Sequence, residues 1–243
     1  MRKIENMQEI IRNAAERRQG GRENSNSSKE RNRVYSMSSK LYEDLCRIVG
    51  TDAVFCDEPM SRHTTFRTGG PAEILVTPDS ESLPEVIVCC RKHQIPCLVI
   101  GNGSNLLCGD GGVEGVVVEI GKRMSEISVD GDLITAQAGA LLSGIAAKAA
   151  AEGLTGFEFA AGIPGSIGGA VVMNAGAYGG EMKQVLASVQ VLTREGEVLT
   201  IPASELSFLT ATALCRRRDT LSFRLCFLWK REKNRRFTLL WKI

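Results

Sequence analysis

The sequence predicts an α+β protein, and three observations carry that reading. Short runs of β-branched residues end at Gly or Pro. Helix-periodic segments lie between several of them. The 243 residues hold 25 glycines against 7 prolines, a balance that signals tight turns and close backbone approaches. At 43% hydrophobic and 24% charged the composition is that of an ordinary globular chain, which excludes wholesale disorder. The length suits one large domain or two small ones. No run of 18 apolar residues exists to span a membrane. The opening MRKIENMQEIIRNAAERR is charged throughout and lacks a signal-peptide core, so the expected location is the cytoplasm, without a membrane partner.

Residues 1–37 read as a polar arm, with a short helix at 3–18 followed by a linker that contains Gly20-Gly21 and NSNSSK. SSKLYEDLCRIV (38–49) reads as a Ser-capped helix with Leu41, Leu45, Ile48 and Val49 on one face. AEILVTP (72–78) reads as a strand stopped by Pro78, and Ser80 to His93 as a helix whose apolar face is Leu83, Val86, Ile87 and Cys90. PCLVIG (96–101) and VEGVVVEI (113–120) read as buried strands, and 126–129 and 132–138 as strands joined at Asp130-Gly131-Asp132. LLSGIAAKAAAE (141–152) is an alanine-rich helix ended by Gly153. Residues 186–193 and 197–201 alternate as a hairpin around Arg194-Glu195-Gly196.

The eight cysteines form no C-x-x-C pair and there are only two histidines. Reduced, buried thiols and no metal site are therefore expected.

Three motifs carry chemistry. The first, GNGSNLL (101–107), follows a buried strand directly. Successive N–H groups in such a turn form an anion nest, and Ser104 and Asn105 add side-chain donors. A pyrophosphate is the natural guest, a structural turn the plain alternative. The spacing is not G-x-G-x-x-G, so helix-dipole binding of the dinucleotide kind is not supported. The second, AGIPGSIGGAVVMNAGAYG (161–179), has six glycines in nineteen residues, too many for a stable packed helix. Its backbone is read as touching a ligand, with Asn174 and Tyr178 as hydrogen-bonding groups for a substrate. The third, RHTTFRTGGPA (62–72), sets Arg67 and Thr68 before a Gly-Gly-Pro turn as candidates for holding a cofactor. His63 reads as a satisfied histidine rather than a general base or covalent anchor.

The ordered trio TFRTGGPA (65–72), IGNGSNLL (100–107) and AGIPGSIGGAVVMNAGAYGGE (161–181) resembles the UDP-N-acetylenolpyruvoylglucosamine reductases, also called UDP-N-acetylmuramate dehydrogenases, which act in peptidoglycan-precursor synthesis. The resemblance spans about residues 40 to 208. It implies an FAD-binding domain of the p-cresol methylhydroxylase/vanillyl-alcohol-oxidase type over 38–208, in two α+β subdomains (about 38–120 and 121–208) that hold non-covalent FAD. By position it implies that Gly101, Asn102, Gly103, Ser104, Asn105 and Leu106 hold the pyrophosphate. Ile163, Pro164, Gly165, Ser166, Gly168, Gly169 and Gly176, with Arg67 and Thr68, complete the cofactor site. Asn174 and Tyr178 fall beside flavin and substrate. NADPH is the implied reductant, a UDP-sugar enolpyruvyl ether the implied substrate, and a monomer the implied state.

The resemblance stops at Phe208. The family continues with an aromatic-Tyr-Arg-x-Ser segment, whereas this chain has Leu209-Thr210-Ala211-Thr212. The family's catalytic Arg, Ser and Glu have no matching positions, so no catalytic residue is assigned, and an incomplete, impaired reductase is expected. Residues 209–243 carry ten basic and two acidic residues, a net of +8, and no glycine. The preceding 208 carry 20 basic and 26 acidic, a net of −6, and all 25 glycines. A flavin-binding module whose basic tail contacts an acidic partner is one alternative, and another flavin oxidoreductase of the same fold a second. The tail has no nucleic-acid-binding motif and no sustained helical period. Its apolar stretch Phe223 to Trp229 lacks a dedicated core. We read it as the translation of a shifted frame. Reading the encoding DNA one or two nucleotides out of phase after codon 208 checks this. A Tyr-Arg-x-Ser segment followed by a glycine-rich continuation is expected, and two closed or unrelated frames would make the tail genuine.

Overall fold

The computed structural model describes residues 39–193 and 195–206, together with the backbone of 221–228. The helix expected at 3–18 lies outside the described residues. Two compact units divide the chain: residues up to Ile100 with Leu106–Glu119, and Gly101–Asn105 with everything from Ile120 on.

The first unit begins with a helix over 39–49 (α1), which buries Leu41, Leu45 and Val49. Its four-stranded sheet has the order β1-β2-β4-β3, formed by β1 (Val54–Pro59), β2 (Pro71–Val76), β3 (Cys97–Ile100) and β4 (Val113–Glu119). β1 runs antiparallel to β2, while β4 is parallel to both β2 and β3. The helix α2 (Leu83–Lys92) joins β2 to β3. β2 and β4 are almost unbroken apolar runs, as befits strands covered on both faces. One face packs Met60, Leu75, Ile100, Cys108 and Val117 together. The β2–β4 register slips between Ala72 and Ile74. There Gly115, at φ 83°, donates its N–H to Glu73 Oε2 at 2.9 Å. β1 has no counterpart in the sequence reading: Cys56, Asp57 and Glu58 obscure its alternation.

The second unit is built on a five-stranded antiparallel sheet, β10-β9-β11-β6-β5. Its strands are β5 (Ile127–Asp130), β6 (Leu133–Gln137), β9 (Leu186–Leu192), β10 (Val198–Pro202) and β11 (Leu221–Leu228). Against it lie α3 (Leu142–Ala151) and α4 (Ile167–Val172). The core gathers Ile134, Ile145, Phe157, Ile167, Val171, Val189 and Val191. Burying each such side chain contributes roughly 1.5–3 kcal/mol. Phe157 and Phe159 meet edge to face, with centroids 5.6 Å apart at 70°.

Three features correct the sequence reading. The glycine-rich IGGAVV does form a helix, α4, because Ile167, Ala170 and Val171 bury one side of it in a core that outweighs poor propensity. Part of the basic tail, read as lacking a core, enters the sheet: the backbone of β11 pairs with β6 on one side and β9 on the other. The loop Gly101–Asn105 groups with the second unit, not with the strand that precedes it. The reason is local. Ser104 and Asn105 bond to Pro164 and Met173.

Candidate functional site

The loop after β3 turns at Gly103, which is buried at φ 60°. Ser104 Oγ donates to the Pro164 carbonyl at 2.9 Å, and Asn105 Nδ2 lies 3.2 Å from Met173 Sδ. Two glycines make this apposition sterically feasible. A Cβ on Gly101 would strike Ser166 Oγ, and one on Gly165, at φ 140°, would stand 2.9 Å from Ser104 Oγ. Among the described residues, the N–H groups of Asn102, Gly103, Ser104 and Asn105 donate to no protein acceptor. A row of unspent N–H donors on a turn, with no carboxylate in GNGSN, suits an anion.

The second glycine segment divides its labour. Ile167 N–H donates to the Ala140 carbonyl and Gly168 N–H to the Ala138 carbonyl, both at 2.9 Å. A Cβ on Gly168 would stand 2.9 Å from that of Ala138. Gly168 therefore acts through close packing. Ile163 packs against the core of the unit. Ser166 is buried, whereas Pro164 and Gly169 are exposed.

Beyond α4 the chain forms a small hairpin, β7 (Gly176–Ala177) with β8 (Gly180–Glu181). The loop residues Tyr178 and Gly179 both have positive φ, 52° and 83°, as a two-residue type I′ turn requires. Tyr178 is 98% exposed at its tip. The turn borders a groove of about 690 Å³ lined also by Glu158, Phe159 and Gln184. Asn174 does not point out. Its Nδ2 donates to Glu181 Oε2 at 2.6 Å, and its Oδ1 accepts from Lys183 N–H at 3.0 Å. It thus braces the hairpin that carries Tyr178. The backbone of Gly176 lies against Gly180, too close for any side chain.

Arg67, Thr68 and Leu106 belong to the first unit. Thr64 Oγ1 donates to the Thr68 carbonyl at 2.9 Å, and Arg67 N–H to the Thr64 carbonyl at 3.1 Å. This small loop holds Phe66, Arg67 and Thr68 outward, Phe66 at 62% exposure. Leu106 packs on the unit's core. His63 stands between two carboxylates, Nδ1 at 3.1 Å from Glu119 Oε2 and Nε2 at 3.3 Å from Glu58 Oε1.

The sequence profile of the FAD binding domain matches residues 71–202. The chain belongs to the FAD-binding domain family. Among curated relatives, a UDP-N-acetylenolpyruvoylglucosamine reductase of Lachnoclostridium phytofermentans is 49% identical over 175 residues, covering 70% of this chain and 56% of the relative. One of Agathobacter rectalis is 52% identical over 162 residues, covering 62% and 52%. The chain thus spans about half the length of these relatives. The crystal structure of the Thermus caldophilus reductase superposes with a TM-score of 0.62 at 33% identity, over 72% of this chain and 62% of that one. p-Cresol methylhydroxylase superposes with a TM-score of 0.62 at 15% identity, over 81% and 44%, which shows the fold of that FAD-binding type.

Within this FAD-binding domain, the hairpin brace includes a titratable carboxylate, Glu181. Lys183 holds the Glu181 carboxyl below the ordinary glutamate range against the opposing effect of burial, and the Asn174 amide adds to the lowering. A lowered folded pKa contributes stability that is full above the unfolded value, about 4.3 for glutamate, and is lost as pH falls through the folded value. Thermal unfolding followed from about pH 6 to about pH 3 should show this loss. In Glu181→Gln the acid-side slope should be shallower. A slope identical to that of the parent chain would contradict the brace.

Proposed function

We propose that this chain is the cofactor-binding portion of a UDP-N-acetylenolpyruvoylglucosamine reductase, with the 101–105 turn cradling the FAD pyrophosphate. The observation that carries the reading is the meeting of that turn with 164–166, beside four N–H groups that have no acceptor among the described residues. FAD, when bound, supplies hydride transfer from a nicotinamide donor, here NADPH, to the enolpyruvyl group of a UDP-sugar.

The residues divide by task. Asn102 to Asn105 offer N–H groups to the two phosphates, and Gly103 allows the turn its left-handed backbone. Ser104 spends its hydroxyl on the Pro164 carbonyl, fixing the cradle's two halves before a ligand arrives. Gly165 and Gly169 give the cofactor backbone rather than side chains to lie against. Arg67 and Thr68 offer a cation and a hydroxyl from the outward loop of the first unit. Tyr178, exposed beside the groove, offers a phenol to substrate, and Asn174 positions it. The reading places the chain in the cytoplasm as a monomer without nucleic-acid or membrane partners, in line with its resemblance to the reductases. The task assigned to the matched residues is binding and orienting the flavin.

Titration of the purified chain with FAD, followed by flavin fluorescence, tests this. Saturable binding is expected. Gly103→Val, which forces a β-branched residue into positive φ, should raise Kd at least about tenfold, or ~1.4 kcal/mol. Absence of saturable binding, or a variant that binds as well as its parent, would overturn the proposal.

A further inference from the structure

Asp44, Cys89 and His93 lie together in the first unit and take no part in the FAD-binding reading. Cys89 and His93 are four residues apart at the end of α2, hence on one face of the helix. The backbone fixes that spacing: His93 N–H donates to the Cys89 carbonyl at 3.1 Å. Gln94, at φ 56°, then turns the chain away. Asp44 comes from α1, and its Oδ2 stands 2.9 Å from His93 Nε2. One ligand atom from each of the three lies within 4.8 Å of the other two. Cys89 is buried, and the His93 side chain is only 10% exposed.

We propose that Asp44, Cys89 and His93 bind a zinc-class divalent cation that clips α1 to the end of α2. Carboxylate oxygen, thiolate and imidazole form the mixed donor set that zinc accepts, and the thiolate disfavours magnesium and calcium. Zinc bond lengths of about 2.0–2.3 Å put tetrahedral ligands roughly 3.3–3.6 Å apart. No pair here need close by more than about 1.5 Å on that geometry, and the Asp44–His93 pair need open slightly. Three protein ligands leave the fourth position to water. On binding, the Cys89 thiol loses its proton to solvent, and the ring proton that Nε2 donates to Asp44 is exchanged through solvent for one on Nδ1, which frees Nε2 and Oδ2 for the metal, so the site takes up +2 and releases +1. The C-terminal end of the α2 dipole is favourable to a cation. Arg47 donates to Asp44 Oδ1 at 2.9 Å, which leaves Oδ2 to the metal and orients the carboxylate. Arg47 and Lys92 are the cations near the thiol, and they moderate affinity.

Cobalt(II) is the probe, because thiolate ligation gives a sulfur-to-metal charge-transfer band in the near ultraviolet. The reduced full chain is titrated with cobalt(II) and then with zinc(II). One equivalent should produce the band and zinc should abolish it. Cys89→Ser should lose the band, and His93→Gln should bind at least tenfold more weakly. Cys97→Ser, at an exposed thiol outside the site, should retain it. His93→Gln keeps the test decisive if Cys89→Ser does not fold. A titration without the band, a band that survives Cys89→Ser, or unchanged affinity in His93→Gln would overturn the proposal.

Discussion

The hydrogen bond from Ser104 to the Pro164 carbonyl is the constraint on which the glycine-rich loops of the second unit depend. It ties a turn to a segment sixty residues further along the chain. A bond of this kind contributes only about 1 kcal/mol net, so it does not hold the fold together. Its importance is geometric. It requires two stretches of backbone to approach until no side chain fits between them, and Gly101 and Gly165 supply that space. The N–H groups of the turn have no acceptor among the described residues, a costly arrangement in an apolar interior and a useful one where an anion binds.

The core positions this cradle from below. Ile167 and Val171 anchor α4, and the Ile167 and Gly168 N–H groups join the segment to the chain between β6 and α3. The glycine-rich sequence thus contains two kinds of glycine. Gly168 exists for packing against Ala138 and Gly165 for the approach of Ser104. Their neighbours in sequence look alike, but their φ angles and contacts separate them.

Most strands and helices were legible because period and punctuation agreed: β2 stops before Pro78, α3 before Gly153. The elements that escaped did so for physical reasons. β1 carries Cys56, Asp57 and Glu58 in place of an alternating apolar face, and its place is fixed by pairing with β2. α4 is a poor helix by propensity and exists through burial. β11 lies in a segment whose composition departs from the rest of the chain, yet its backbone fills the position between β6 and β9. At the site, the glycines and Ser104 were readable from GNGSN and AGIPGSIGG. The inward commitment of Asn174 was not, since nothing in the sequence shows that Glu181 and Lys183 capture its amide. No metal site was expected from the cysteine and histidine spacing, because Asp44, which lies beside Cys89 and His93, comes from a different helix and is brought there only by the fold.

On the proposed reading, backbone approach between the 101–105 turn and 164–166 creates the anion cradle. Gly165→Ala tests it most directly. The added methyl meets Ser104 Oγ at 2.9 Å, at a φ of 140° that L-residues rarely adopt. Calorimetric titration with FAD, alongside circular dichroism to verify folding, should give at least about a tenfold loss of affinity in a folded chain. FAD affinity equal to that of the parent in a folded Gly165→Ala chain would contradict the account.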